Sequence, residues 1–142
     1  NSHILDNFGL NSAIINFIKP INANQKINIQ YSSNLEDIRL IYNVEIVVYR
    51  VICELINNSL KHSQATKINI SLNKHKQLLT LEYTDNGIGF DVDEVLSSQK
   101  SNMGISNIYT RIKSLKGIIN IDSELGSGEK VIIVLNLSKI PN

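Results

Sequence analysis

Residues 44–61, VEIVVYRVICELINNSLK, form the longest periodic segment of the chain, and the rest of the reading grows from them. On a wheel turning about 100° per residue, Val48, Val51, Ile52, Leu55, Ile56 and Leu60 fill one arc. Arg50, Glu54, Asn57, Asn58 and Lys61 gather opposite, and Asn43 stands just ahead as an expected N-cap. The polar side has two readings. It is the solvated face of an ordinary amphipathic helix, or it carries a site. Adjacent asparagines are poor helix formers, and Glu, Lys or Gln would suit a purely solvated face better. A carboxylate, an amide and an amine in one row can orient a water, ligate a hard cation through oxygen and contact a phosphate.

On the C-terminal side, Lys67–Asn73 and Leu78–Thr84 alternate apolar and polar residues around the link 74–77, which predicts a β-hairpin. The glycine-rich run Asp85–Phe90 and a polar stretch from 91 to about 102 follow. Ile105, Ile108, Ile112 and Leu115 restore helical period over 104–115. Ile118–Asp122 and Val131–Leu137 read as two more strands about the turn 125–128. On the N-terminal side, Leu10, Ile14, Phe17 and Ile18 mark a short helix over 10–18 that Pro20 is expected to stop. Lys26–Tyr31 alternates as a strand, and 32–42 is turn-like. Hairpins alternating with helices predict an α+β chain, one mixed sheet with helices on one face, as a two-layer α/β sandwich.

Composition removes whole classes. The 142 residues are 42% hydrophobic and 19% charged with only 2 Pro, which excludes disorder and low complexity. The net charge of +1 comes from scattered basic residues, so no nucleic-acid partner is expected. The single Cys53 allows neither an internal disulfide nor a cysteine-cluster zinc site. No apolar run approaches the ~18 residues of a membrane span. Asn1 opens directly onto a periodic pattern without Met, which reads as a piece cut from a longer protein.

Two further motifs flank the long helix. Asp85-Asn86-Gly87-Ile88-Gly89-Phe90 follows a strand, and its glycines would let backbone pass close to a ligand; equally, Asp-Asn-Gly is an ideal plain turn. Asn102-Met103-Gly104-Ile105 opens a helix, whose free N–H groups would suit an anion, or it is a loop running into a helix.

Taken in order, these three motifs resemble the Bergerat nucleotide-binding fold of the gyrase, Hsp90, histidine kinase and MutL ATPases. Glu54-Leu55-Ile56-Asn57-Asn58-Ser59-Leu60-Lys61-His62-Ser63 is similar to the N box of sensor histidine kinases of the nitrate-sensor-like subfamily, which carry a short ATP lid. Asp85–Phe90 matches the G1 box, and Gly104–Ile112 resembles the G2 region, so the likeness runs over roughly residues 6–138. It implies a mixed, mostly antiparallel five-stranded sheet with about three helices. Residues 1–9 would be the end of a dimerisation domain or its junction, and 10–142 the catalytic ATP-binding domain.

The resemblance also implies roles. Asn58 would ligate Mg²⁺, Glu54 would orient a water or act as a base, and Lys61 and His62 would approach the ATP phosphates. Asp85 would accept the adenine amine, Gly87 and Gly89 would pass the purine and hinge the lid (91–102), and Met103, Gly104 and Ile105 would face the triphosphate. The γ-phosphate would go to a histidine on a dimerisation domain of the same homodimeric parent, then to a response regulator. The parent would be membrane-anchored and this domain cytoplasmic, without membrane contact of its own. The chain departs from the family at Asn102, where Gly is usual, and at Glu129, where Thr is usual and its hydroxyl contact near adenine is lost. No phosphoacceptor is visible, since His3-Ile4 lacks the acidic neighbour and His75 lies in a polar link. A serine kinase of the anti-sigma-factor type and a non-catalytic nucleotide-binding or interaction module whose pocket has decayed are the alternatives.

Overall fold

The computed structural model describes residues 2–97 and 103–141. Helices α1 (Ser2–Phe8) and α2 (Leu10–Ala23) lead into strand β1 (Asn28–Ser33) and helix α3 (Tyr42–Asn58). The hairpin β2 (Lys67–His75) and β3 (Leu78–Asp85) is followed by α4 (Val92–Ser97), α5 (Met103–Ser114), β4 (Ile118–Ser123) and β5 (Glu129–Asn136). The sheet order is β1-β2-β3-β5-β4. Only β1 and β2 run parallel; β2–β3, β3–β5 and β4–β5 are antiparallel. The expected five-stranded, mostly antiparallel sandwich is the observed architecture.

Alternation along the strands explains the two layers. Ile68, Ile70 and Leu72 of β2, Leu79, Leu81 and Tyr83 of β3, and Val131, Ile133 and Leu135 of β5 are all buried. They meet Val48 and Val51 of α3 and Ile112 of α5. The intervening Asn69, Glu82 and Lys130 are exposed, as one solvated sheet face requires.

Several boundaries differ from expectation. Pro20 lies inside α2 rather than ending it. It faces solvent, while half-buried Ile21 prolongs the buried stripe of Leu10, Ala13, Ile14 and Ile18, so packing carries the helix past a local breaker. The N-cap position of α3 is Ile41, not Asn43, and no side chain caps it. The hairpin link shrinks to Lys76 and Gln77, with Lys76 left-handed at φ 54°. The stretch after residue 90 contains α4, whose Glu94 N–H donates to Asp91 Oδ1 at 3.0 Å.

The largest difference lies at the end of the long helix. From Ser59 to Ser63 the chain widens into a π-turn closed by Gln64 in the left-handed region (φ 55°). A π-turn holds extra residues per turn, so the faces shift from their α-helical places. Leu60, expected on the apolar arc, is 45% exposed, whereas Ser59 and Ser63 are buried.

Candidate nucleotide-binding site

Both strands of the β3–β5 pair carry their buried row one step beyond the apolar residues. Asp85 extends Leu79-Leu81-Tyr83, and Glu129 extends Leu135-Ile133-Val131. The two carboxyls are register partners and only 8% and 7% exposed. They line a cavity of about 160 Å³ together with Asn58, His62, Ser63, Gly89, Phe90, Val95 and Ile105.

The π-turn holds Asp85 in place. Ser59 Oγ donates to Asp85 Oδ2 at 2.7 Å and also contacts the Tyr83 hydroxyl, which donates to the Leu55 carbonyl at 3.1 Å. The Gly87 N–H donates to Asp85 Oδ1 at 2.9 Å. Ser63 ties the next turn: its hydroxyl donates to the Ser59 carbonyl, and its own carbonyl accepts the Ile88 N–H at 2.7 Å. Asn86 accepts the Thr66 and Lys67 N–H groups and donates to the Thr66 hydroxyl, fixing the turn to the start of β2. Asp85 is therefore an anchored acceptor at the closed end of the cavity.

The glycine turn crosses over this floor. Gly89 has φ +68°, and a Cβ there would come within 2.1 Å of the Glu124 carbonyl; a side chain is excluded by both conformation and space. Gly104, near the start of α5, would place a Cβ 2.7 Å from the Asn58 amide, so α5 approaches α3 at van der Waals limits.

Beyond Asn58 and His62 the cavity continues into a more open cleft of about 590 Å³. Glu54, Asn57, Lys61, Gly104, Arg50 and Arg111 are among its lining residues. The α5 N-terminus faces this cleft with first-turn N–H groups that have no intrahelical partners. Three guanidinium or ammonium groups facing one carboxylate suit an anionic ligand. Asn58 Nδ2 and Arg111 Nε are buried without a partner, an unusual state for polar atoms in a protein at rest.

Of the residues singled out in the sequence, Asn58, His62, Asp85, Gly89 and Ile105 meet at the inner cavity. Glu54, Lys61 and Gly104 meet at the outer cleft, where Asn58 and His62 join them. Gly87 lies against Ser63 rather than in either space. Met103 begins α5; its side chain and Asn102 lie outside the described residues. The sequence reading missed Ser59, Ser63, Arg111 and the inward direction of Glu129. The signals were present: Ser59 and Ser63 fall at i+4 steps from Leu55 on the apolar stripe, Arg111 is two turns beyond Gly104, and Glu129 shares the parity of Val131.

Burial, and then the neighbouring Asp85, push the Glu129 carboxyl up from 4.5 to about 8. Burial likewise drives the Tyr83 hydroxyl upward. At neutral pH Glu129 is therefore an uncharged carboxylic acid beside Asp85.

The sheet is thus backed by helices and carries a small cavity that opens into a basic cleft. The family model described as histidine kinase-, DNA gyrase B-, and HSP90-like ATPase matches residues 43–139, and the chain belongs to that family. It is 31% identical over 137 residues to the signal transduction histidine-protein kinase/phosphatase DegS of Bacillus subtilis (strain 168), covering 94% of this chain. It spans only 36% of the length of that curated relative. Among solved structures, the catalytic domain of histidine kinase ThkA superposes with a TM-score of 0.72 at 17% identity, covering 93% of this chain and 96% of that one. The Acinetobacter baumannii histidine kinase AdeS gives 0.70 at 18% identity, over 90% and 63% of the two chains. These likenesses are of fold. The chain is a histidine-kinase-type ATPase domain.

Proposed function

We propose that the chain is the Mg-ATP-binding catalytic domain of a sensor histidine kinase of the nitrate-sensor-like kind. It would donate the γ-phosphate to a histidine on a dimerisation domain of a homodimeric parent, for onward transfer to a response regulator. Residues 10–142 would form this domain and 1–9 the junction with the dimerisation domain. The likeness to DegS favours this over a serine kinase of the anti-sigma-factor type. Among the described residues no helix is long and apolar enough to cross a membrane. The domain would be cytoplasmic, with a membrane anchor elsewhere in the parent.

The carrying observation is Asp85, held as an acceptor by Ser59 and Gly87 at the closed end of a cavity that opens onto the basic cleft. In this reading Asp85 accepts the amine of adenine, and Gly87 and Gly89 shape the turn passing the base. Lys61, His62 and Arg111 meet the phosphates, joined by backbone N–H groups of Met103, Gly104 and Ile105. Glu54, in the same cleft, orients a water or takes a proton from the attacking group.

The donor set also fits Mg²⁺. No group of three or more His, Cys, Asp or Glu among the described residues could hold a metal. A cation would rely on the Asn58 amide oxygen, phosphate oxygens and water, as Mg²⁺ does. The unpartnered Asn58 Nδ2 is a donor and would suit a phosphate oxygen, which would leave the oxygen of the same amide for the cation. Bound Mg²⁺ would neutralise phosphate charge.

Calorimetric titration of the chain with ADP and a non-hydrolysable ATP analogue, first with Mg²⁺ and then with chelator, tests the reading. Binding that weakens on chelation is expected. Asp85→Asn and Asn58→Ala should each lose on the order of 1–3 kcal/mol of affinity or its Mg²⁺ dependence, with the circular dichroism spectrum unchanged. Unchanged affinity in both variants would remove the site assignment, and no binding by the unaltered chain would favour a non-catalytic interaction module whose pocket has decayed.

A further inference from the structure

We infer that Glu129 is a specificity-determining residue of the inner cavity: its protonated carboxyl donates a hydrogen bond to the purine ring nitrogen adjoining the amine taken by Asp85. Nucleotide binding then requires that proton. The inference rests on the ATP reading above and adds a second base-reading group to it.

The geometry comes from the sheet. Antiparallel register sets Glu129 opposite Asp85, and both side chains continue the buried rows into the same cavity. The two carboxyls differ in their neighbours. Asp85 receives donors on both oxygens, from Ser59 and Gly87, and is itself the side-chain hydrogen-bond neighbour of Glu129. Glu129 Oε1 is buried with no partner. Burial, the charge of Asp85 and the side-chain hydrogen bond to it all favour a protonated Glu129 carboxyl, and a base seated between the two side chains would take over that proton from Asp85.

The remaining surroundings do not reverse this. Tyr83 and Asp85 face Glu129 from β3. Asn58, His62 and Ser63 line the cavity from α3 and its π-turn; Gly89 and Phe90, Val95 of α4 and Ile105 of α5 complete it. His62 is exposed, and among the described residues no Lys or Arg side chain lines this space. The next residue, Lys130, is exposed on the alternate face of β5. Accordingly the Glu129 carboxyl keeps its proton up to about pH 8.

An anchored acceptor beside a carboxylic acid donor complements a 6-aminopurine, whose edge offers an amine hydrogen next to a ring-nitrogen lone pair. A 6-oxopurine would bring its carbonyl oxygen against the Asp85 carboxylate instead. The unpartnered Oε1 is thereby explained as one half of a base-reading pair, satisfied on binding.

Titration with Mg-ADP reads this directly, because its phosphates are already ionised at neutral pH. Between about pH 7 and about pH 9, affinity of the unaltered chain should fall about tenfold, and binding near the upper end should take up a proton, seen as a heat that varies with buffer ionisation enthalpy. Glu129→Gln, which donates without titrating, should bind at both values with little change. The ADP analogue carrying C–H in place of that ring nitrogen should bind the unaltered chain more weakly and without the pH dependence. PH-independent affinity with no proton uptake in the unaltered chain overturns the inference while leaving the ATP reading standing. An identical loss in Glu129→Gln overturns it as well. Absence of ADP binding at every pH overturns both. The proton-uptake measurement needs no variant, so a folding defect in Glu129→Gln does not blunt the test.

Discussion

Glu129 has a cost in the free protein. Its carboxyl titrates at 4.5 when unperturbed and at about 8 in the fold. Below about pH 4.5 folded and unfolded chains are both protonated there. As pH rises toward 8 the unfolded chain releases its proton and the folded one retains it, so stability falls over that window and is level above it. Relative to Glu129→Gln, whose amide does not titrate, the unaltered chain should lose up to about 4 kcal/mol between about pH 4.5 and about pH 8. Urea unfolding of both proteins across that range measures the difference, and parallel stability profiles would contradict it. A residue costly to the apo fold, at the closed end of a cavity, is the pattern expected where function rather than packing sets the side chain. Sequence reading saw Glu129 only as a missing threonine. Its inward direction follows from pairing with β3, far away in the chain, and a charged residue hides the parity that Val131, Ile133 and Leu135 make plain.

At the scale of elements, the glycine turn and the π-turn act as one unit. The Ser63 carbonyl accepts the Ile88 N–H and the Ser59 hydroxyl donates to Asp85, so the widened helix meets the strand end and the turn with one hydroxyl and one carbonyl. Gly89→Ala would set a Cβ 2.1 Å from the Glu124 carbonyl at φ +68°. Thermal unfolding should show a loss of about 2–4 kcal/mol, with nucleotide affinity falling alongside. Ser59→Ala should leave Asp85 with one donor fewer and lower nucleotide affinity by about 1 kcal/mol or more, detectable by the same calorimetry.

The G1 turn was legible because its chemistry is local: Asp, Asn and two glycines within six residues admit few backbones. The strands were legible through period-two alternation. The π-turn was not, because nothing in Ser59-Leu60-Lys61-His62-Ser63 opposes an α-helix; the strands it packs against select the wider turn. Helix α4 was hidden by its length, six residues being too few to show a helical period, although Asp91 followed by Glu94 carries the spacing of an N-terminal cap.

Across the whole molecule, the N-terminal helices are bound to the core by a different device. Glu45, 1% exposed, accepts from Arg39 Nε and Nη2 at 3.0 and 2.9 Å, and from the Leu40 N–H. The same guanidinium donates to the Leu5 carbonyl at 3.2 Å. Arg39→Ala would strand a buried carboxylate and release α1 from the start of α3. The midpoint of thermal unfolding should fall, by less than for a fully buried pair because the arginine is 46% exposed, and ADP affinity should be unchanged, since neither residue lines the cavity or the cleft. A fall in affinity would instead mean that this corner of the fold communicates with the nucleotide.

The rows that build the core also build the floor of the cavity, with no break between Tyr83 and Asp85 or between Val131 and Glu129. A purine seated there would lie against Ile105, Phe90 and Val95 as a further tier of the hydrophobic interior, one that diffuses in and out. Amide exchange should then slow on ADP binding at the Asp85 and Glu129 ends of their strands and little at Leu78 and Asn136. Occupancy would set how far the interior extends.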